Sequence, residues 1–175
     1  MSSPGEILEH ATTVLRRGDS LTIDSVAREA GLTKPGVIHH FATKEVLVVS
    51  VVDHILDRWE ADLRARVGES DGATARLRAY VDHALDGDFD LSDLAFLVDA
   101  RICERLSRLW TARLGPWFGE DLAGSPTRRG ALRAARLLAD GAWFNASLGI
   151  PTADDDEREV VRRLAHDLIG RGAPA

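Results

Sequence analysis

The chain has 175 residues, 45% of them apolar, and a formal net charge of −6. That size and apolar share allow one compact core, or a small headpiece with a larger helical body, and the acidic balance excludes a protein that holds nucleic acid by bulk positive charge. A single cysteine, Cys103, excludes an internal disulfide and offers no metal cluster.

The opening MSSPGEILEHA lacks a charged segment followed by a long apolar run. The richest apolar stretch, Val46 to Val52, is interrupted by Ser50 and is far too short to cross a bilayer. A cytoplasmic protein without a membrane partner is therefore expected, and the lone cysteine fits a reducing compartment. Ser3-Pro4-Gly5-Glu6 has the form of a capping box with proline at the first helical position, which starts a helix with almost no N-terminal arm. Ile7, Leu8, Ala11, Val14 and Leu15 form its buried stripe, and Gly18 closes it.

Thr22 to Val46, TIDSVAREAGLTKPGVIHHFATKEV, predicts two short helices joined by a glycine turn, and the start of a longer one. Thr22 is the first N-cap, and Val26, Ala27 and Ala30 give a small apolar face ending at Gly31, where a left-handed residue is easiest for glycine. Thr33 caps the second helix, with Pro35 in its first turn. Val37 and Phe41, four apart, face inward and leave Lys34, Gly36, His39 and His40 for the other side. This is a helix-turn-helix whose outer face suits a DNA major groove. Pro35 and Gly36 are small where the backbone must come close, and Lys34, His39, His40 and Lys44 are donors. The chain has only two lysines against twenty arginines, and both, Lys34 and Lys44, fall here. Arg28, Lys34 and Lys44 balance Asp24, Glu29 and Glu45, so affinity must come from a few placed contacts multiplied by dimerisation.

The segment AREAGLTKPGVIHHFATKEVL resembles the DNA-binding signature of the tetracycline-repressor (TetR) family of bacterial transcription regulators. Ala30-Gly31, Thr33, His40-Phe41 and Lys44 carry the resemblance, in that order. It implies a helix-turn-helix DNA-binding domain over residues 1–46 and a ligand-binding and dimerisation domain over 47–175. It also implies that Lys44, at the start of the fourth helix, binds a phosphate, which the positive end of a helix favours. Ile38 stands where many members have a tyrosine that touches DNA, and Gly36 where many have a hydroxyl or small side chain that reaches bases. The burden of contact therefore shifts to Lys34, Pro35, His39 and His40.

From Thr43 a long helix is expected towards Val67, on the stripe Val46, Leu47, Val51, Ile55, Trp59 and Leu63. In the family this helix joins headpiece to body, so a ligand that moves its far end changes the spacing of two recognition helices. Gly68 to Gly72 breaks the chain, Ala73 to Leu85 is a helix carrying Tyr80 and His83, and Gly87 to Asp90 breaks it again. Ser92 is the expected cap of a stripe through Leu94, Leu97, Val98, Ile102, Leu106, Leu109 and Leu114, in one helix or two, ended near Gly115-Pro116. Ser125-Pro126 opens a helix to about Leu148, stopped by Gly149-Ile150-Pro151. Thr152, followed by Asp154, Asp155, Asp156 and Glu157, opens the last helix, whose apolar face is Val160, Val161, Leu164, Leu168 and Ile169. The fold class is all-α, a three-helix headpiece followed by a larger helical body, with about nine helices in total.

The resemblance further implies an inducer pocket among the body helices, and a homodimer in which the last two helices pair with those of a second chain. Phe96, Trp110, Trp117 and Trp143, with the polar points His83, Asp99, Cys103 and Asn145, are the candidate ligand contacts. Ala135, Leu138 and Ala142 on the penultimate helix, and Val161, Leu164 and Leu168 on the last, are the candidate dimer contacts. The same aromatics serve equally to pack a core, and the same stripes to close a monomer. No catalytic residue, metal or cofactor is expected. His39 and His40 point about 100° apart on a helix, and no H-E-x-x-H, G-x-S-x-G or phosphate-binding glycine loop is present. The run Asp154, Asp155, Asp156 reads as a solvated helix start. The expected function is a sequence-specific DNA-binding transcriptional regulator, more a repressor than an activator, released from a palindromic double-stranded operator by a small, largely apolar ligand. The competing reading is a dimeric helical sensor or adaptor with weak or no specific DNA binding.

Overall fold

The computed structural model describes residues 2–69, 72–119, 123–151 and 153–171. Among these there are eight α-helices: α1 (Pro4–Arg16), α2 (Ile23–Glu29), α3 (Lys34–His40), α4 (Lys44–Val67), α5 (Ala73–Asp86), α6 (Cys103–Leu114), α7 (Pro126–Ser147) and α8 (Asp155–Gly170). A 3-10 helix over Leu91–Leu97 and a 3-10 turn over Gly115–Trp117 complete the set, and no strand occurs among the described residues. The expected all-α class, with about nine helices, is what forms.

Local chemistry explains most of the boundaries. Ser3 caps α1 in a reciprocal capping box with Glu6, as its sequence requires. Thr22 accepts from the Ser25 amide while the Ser25 side chain reaches back to the Thr22 amide, a box closed by serine where glutamate is usual. At the end of α2 the Leu32 amide reaches the Ala27 carbonyl at 2.8 Å and the Gly31 amide the Arg28 carbonyl at 3.3 Å. That pairing needs a left-handed residue between helices, and Gly31 supplies it with φ +63°.

Two expected starts differ. Asp90, not Ser92, caps the 3-10 helix: its carboxylate accepts from the Ser92 amide at 2.7 Å and from Arg16 Nε at 2.6 Å. A charged acceptor that also meets a guanidinium outcompetes a neutral hydroxyl two residues later. The apolar stripe from Leu94 to Leu114 then splits between this 3-10 helix and α6. Asp154 caps α8 in a box with Glu157, whereas Thr152, the expected start, lies outside the described residues.

The chain divides into two compact units, Met1–Arg58 with Asp90–Trp110, and Trp59–Phe89 with Thr111–Ala175. In the first, α1 packs on α2 and on the 3-10 helix, and α2 packs on α3. Ile7, Ala11, Val26, Val37, Leu47, Val48 and Val51 are fully buried there. In the second, α5 packs on α7 and α8, and α7 on α8. Its centre is aromatic: Trp59 lies edge-on to His83 at 4.9 Å and to Trp143 at 5.3 Å between ring centroids, with Phe89 at 5.2 Å. Tyr80 donates to the Asp140 carboxylate at 2.6 Å and accepts from Trp143 Nε1 at 3.1 Å, so both buried polar tips are satisfied.

Candidate nucleic-acid interface

The candidate recognition element, α3, is short, and two side chains fasten it. α3 has seven residues, of which Val37 is fully buried, and Phe41 at its C-cap is nearly so. Thr33 caps it by accepting from the Gly36 amide at 3.2 Å. A Cβ on residue 36 would stand 3.3 Å from that hydroxyl, so glycine leaves the cap undisturbed. With Val37 and Phe41 inward, Lys34, Pro35, Ile38 and His39 are exposed on α3 and His40 is half-buried. The two imidazoles lie edge to face, with ring centroids 5.2 Å apart. Thr22 is half-buried and its hydroxyl is taken up by Ser25, which makes it a cap before it is anything else.

Lys44 is the first residue of α4, where Thr43 Oγ1 accepts from the Val46 amide at 3.2 Å. Both lysines already face a carboxylate. Lys34 Nζ is 2.9 Å from Asp24, and Lys44 Nζ is 3.5 Å from Asp99. Asp99 also binds Arg101 through both carboxylate oxygens, at 3.1 and 2.9 Å, and accepts the Arg101 amide at 3.1 Å. The guanidinium of Arg101 holds the Asp99 carboxyl well below the usual range, so this aspartate is charged at any working pH.

The eight candidate ligand residues are divided between the two units. Phe96, Asp99, Cys103 and Trp110 belong to the first unit and His83, Trp117, Trp143 and Asn145 to the second. Residues 90–110 pack with the headpiece because the 3-10 helix meets α1, Asp99 meets Lys44, and Arg105 meets Glu45 at 2.6 Å. Phe96 and Trp110 pack on each other at 4.7 Å, and Cys103 lies 4.0 Å from the Ser107 hydroxyl. In the second unit His83 and Trp143 are core members, while Trp117 lines a cavity of about 510 Å³ with Glu60, Arg64, Val67, Arg76 and Arg113. Sequence reading missed this cavity, because its charged lining has no periodic signature. Glu60 accepts from Arg113 and Arg64, both at 2.5 Å, and Arg113 chiefly holds its carboxyl below the usual range.

Asn145 instead lines a groove of about 440 Å³ between α5, α7 and α8, with Leu137, Leu138, Ala142, Arg158 and Val161. Of the candidate dimer residues, Leu164 is 55% exposed, Leu138, Ala142, Val161 and Leu168 are half-buried, and Ala135 is fully buried. Ala135 lies on the face of α7 turned into its own unit. Beside Leu164, the large apolar residues exposed on or next to α7 and α8 include Leu137, 63% exposed, Phe144, Leu148 and Val160. Their alternation with the alanines on α7 carries this outward face, and it is visible once the inward face is known.

A family model described as "Bacterial regulatory proteins, tetR family" matches residues 7–51, and one described as "Tetracyclin repressor-like, C-terminal domain" matches residues 74–169. The second alone spans more than half of the chain. The protein belongs to the TetR family. It is a DNA-binding transcriptional regulator, in a family whose members are not enzymes. It is similar to the HTH-type transcriptional regulator BetI of Stenotrophomonas maltophilia, 29% identical over 85% of this chain and 80% of that one. The BetI of Brucella anthropi is 26% identical over 90% and 86%. A TetR transcription regulator from Haloarcula marismortui shares the fold with a TM-score of 0.65 over 95% of both chains, at 22% identity. No described helix of this TetR regulator is long and apolar enough to cross a membrane. No group of three or more metal-ligating side chains occurs among its described residues.

Proposed function

We propose that the chain acts in the cytoplasm as a homodimeric repressor that reads a palindromic operator with α3 and leaves it when a small, largely apolar molecule occupies the second unit. The observation that carries this reading is the division of α3 into a buried pair, Val37 and Phe41, and an exposed face of Lys34, Pro35, Ile38 and His39. Such a face places a slim helix edge, two donors and an apolar side chain against base edges, and Ile38 suits a thymine methyl group. Gly36 allows close approach of the backbone. His40 and Lys44 reach phosphates, with Thr22 and Thr33 holding the two helix starts to which these contacts belong. The cavity beside Trp117 falls in the usual size range for a small-molecule site, and its lining suits a ligand whose apolar part meets Val67, Pro116 and Trp117 and whose polar end meets Glu60, Arg64, Arg76 and Arg113.

Dimerisation through α7 and α8 is supported by the exposed leucines and phenylalanine they carry. Leu164→Glu is expected to convert the dimer to a monomer and weaken operator binding at least tenfold, since one half-site then acts alone. Light scattering read alongside fluorescence anisotropy checks it, and a variant that remains dimeric would move the interface elsewhere.

One observation favours a helical sensor or adaptor: both lysines of the headpiece are matched by internal carboxylates. Anisotropy against duplexes tiled across the DNA flanking the gene, at two salt concentrations, decides between them. A tight site with twofold symmetry is expected for the repressor. Weak binding everywhere, abolished by modest salt, would support the adaptor.

A further inference from the structure

We propose that Asp99 is an internal competitor for the operator phosphate at Lys44, so that this carboxylate sets how tightly the headpiece holds any duplex. The inference rests on the reading of Lys44 as a phosphate contact. Asp99 is an unequal partner to the two cations it meets. Arg101 gives it three hydrogen bonds at 2.9 to 3.1 Å, whereas Lys44 approaches only to 3.5 Å, beyond good hydrogen-bond length. The carboxylate therefore stays satisfied when Lys44 departs, and Lys44 is the partner free to exchange.

Burial makes the competition effective. The Asp99 side chain is 9% exposed, so water reaches this pair mainly from the lysine side, and the Lys44 side chain, 42% exposed, can swing to a phosphate without rebuilding the core. The Lys34 and Asp24 side chains, by contrast, are 55% and 61% exposed, and water and salt screen that pair on both sides. A second tie, Arg105 to Glu45 at 2.6 Å, holds the segment after Asp99 against the first turn of α4 and keeps the carboxylate in range. Binding DNA thus replaces Asp99 by a phosphate oxygen at Lys44, and the carboxylate left behind keeps only Arg101.

The test is a double-mutant cycle read by anisotropy on a cognate and an unrelated duplex, using wild type, Asp99→Asn, Lys44→Ala and the double variant, with melting midpoints as folding controls. Asp99→Asn should tighten both duplexes by the same factor, roughly two- to thirtyfold for two half-sites each releasing one ion pair whose lysine is solvent-exposed. In the Lys44→Ala background that gain should vanish. Asp99→Ser, which keeps an acceptor for the Arg101 amide without the charge, should behave like Asp99→Asn and covers a folding defect of the amide. Unchanged or weaker binding by folded Asp99→Asn and Asp99→Ser would overturn the proposal. So would a gain that persists undiminished without Lys44, since it would then reflect net charge alone. If Lys44→Ala itself leaves every duplex unaffected, the phosphate role of Lys44 fails, and the competition fails with it.

Discussion

Phe41→Ala is expected to weaken cognate DNA binding by roughly ten- to a hundredfold and to lower the thermal midpoint in the same variant. α3 is seven residues long, too short to hold its own helical form in water, so its presence depends on docking. Val37 and Phe41 are its two buried side chains, and truncating a buried phenylalanine costs about 3–5 kcal/mol. That cost falls on the element that carries Lys34, Pro35, Ile38 and His39, and undocking scatters all four at once. Anisotropy and a melting curve measure both consequences. A variant with a lowered midpoint and unchanged affinity would show that the recognition helix does not depend on this ring.

Acid is expected to destabilise the protein through His83. The imidazole is buried between Trp59 and Phe89, and neither ring nitrogen has a hydrogen-bond partner among the described residues. Burial takes its pKa from 6.5 down to about 4, against the upward pull of Asp62 and Asp86 and with a smaller downward push from Arg66. The folded state therefore resists the proton that the unfolded chain accepts. Above pH 6.5 the group is neutral in both states and costs nothing by titration. As pH falls from 6.5 to about 4 the stability it permits is lost, up to about 3 kcal/mol, and below that range the loss levels off. His83→Phe keeps an aromatic ring in the cluster and removes the titration, along with two unmatched polar atoms. Its advantage over wild type in urea should widen by about 2–3 kcal/mol between pH 7 and pH 4.5. Parallel pH profiles for the two proteins would contradict the assignment of that acid loss to His83.

The headpiece was legible because its signals are local. A cap bonds an amide three residues on, a glycine turn needs one left-handed residue, and a two-sided helix shows in residues four apart. Ser3, Thr22, Gly31, Thr33, Val37 and Phe41 therefore sit as a single reading of the chain requires. How the candidate ligand residues pack was not legible. Aromatic residues concentrate in the later part of the chain, but composition does not say which ring meets which. Phe96 and Trp110 pack on each other in one unit, while His83 and Trp143 fill the core of the other.

The sequence by itself determined that this is an all-helical chain with a helix-turn-helix near its start, because hydrogen bonds within a turn or two of helix, and apolar residues at helical spacing, decide those features without reference to the rest of the molecule. Only the tertiary structure decided that residues 90–110 fold with the headpiece, that Asp99 meets Lys44, and that Ala135 turns inward while Leu137 turns out. These depend on contacts between residues far apart in the chain, and a carboxylate carries no mark of which distant cation it will meet until packing brings the two together.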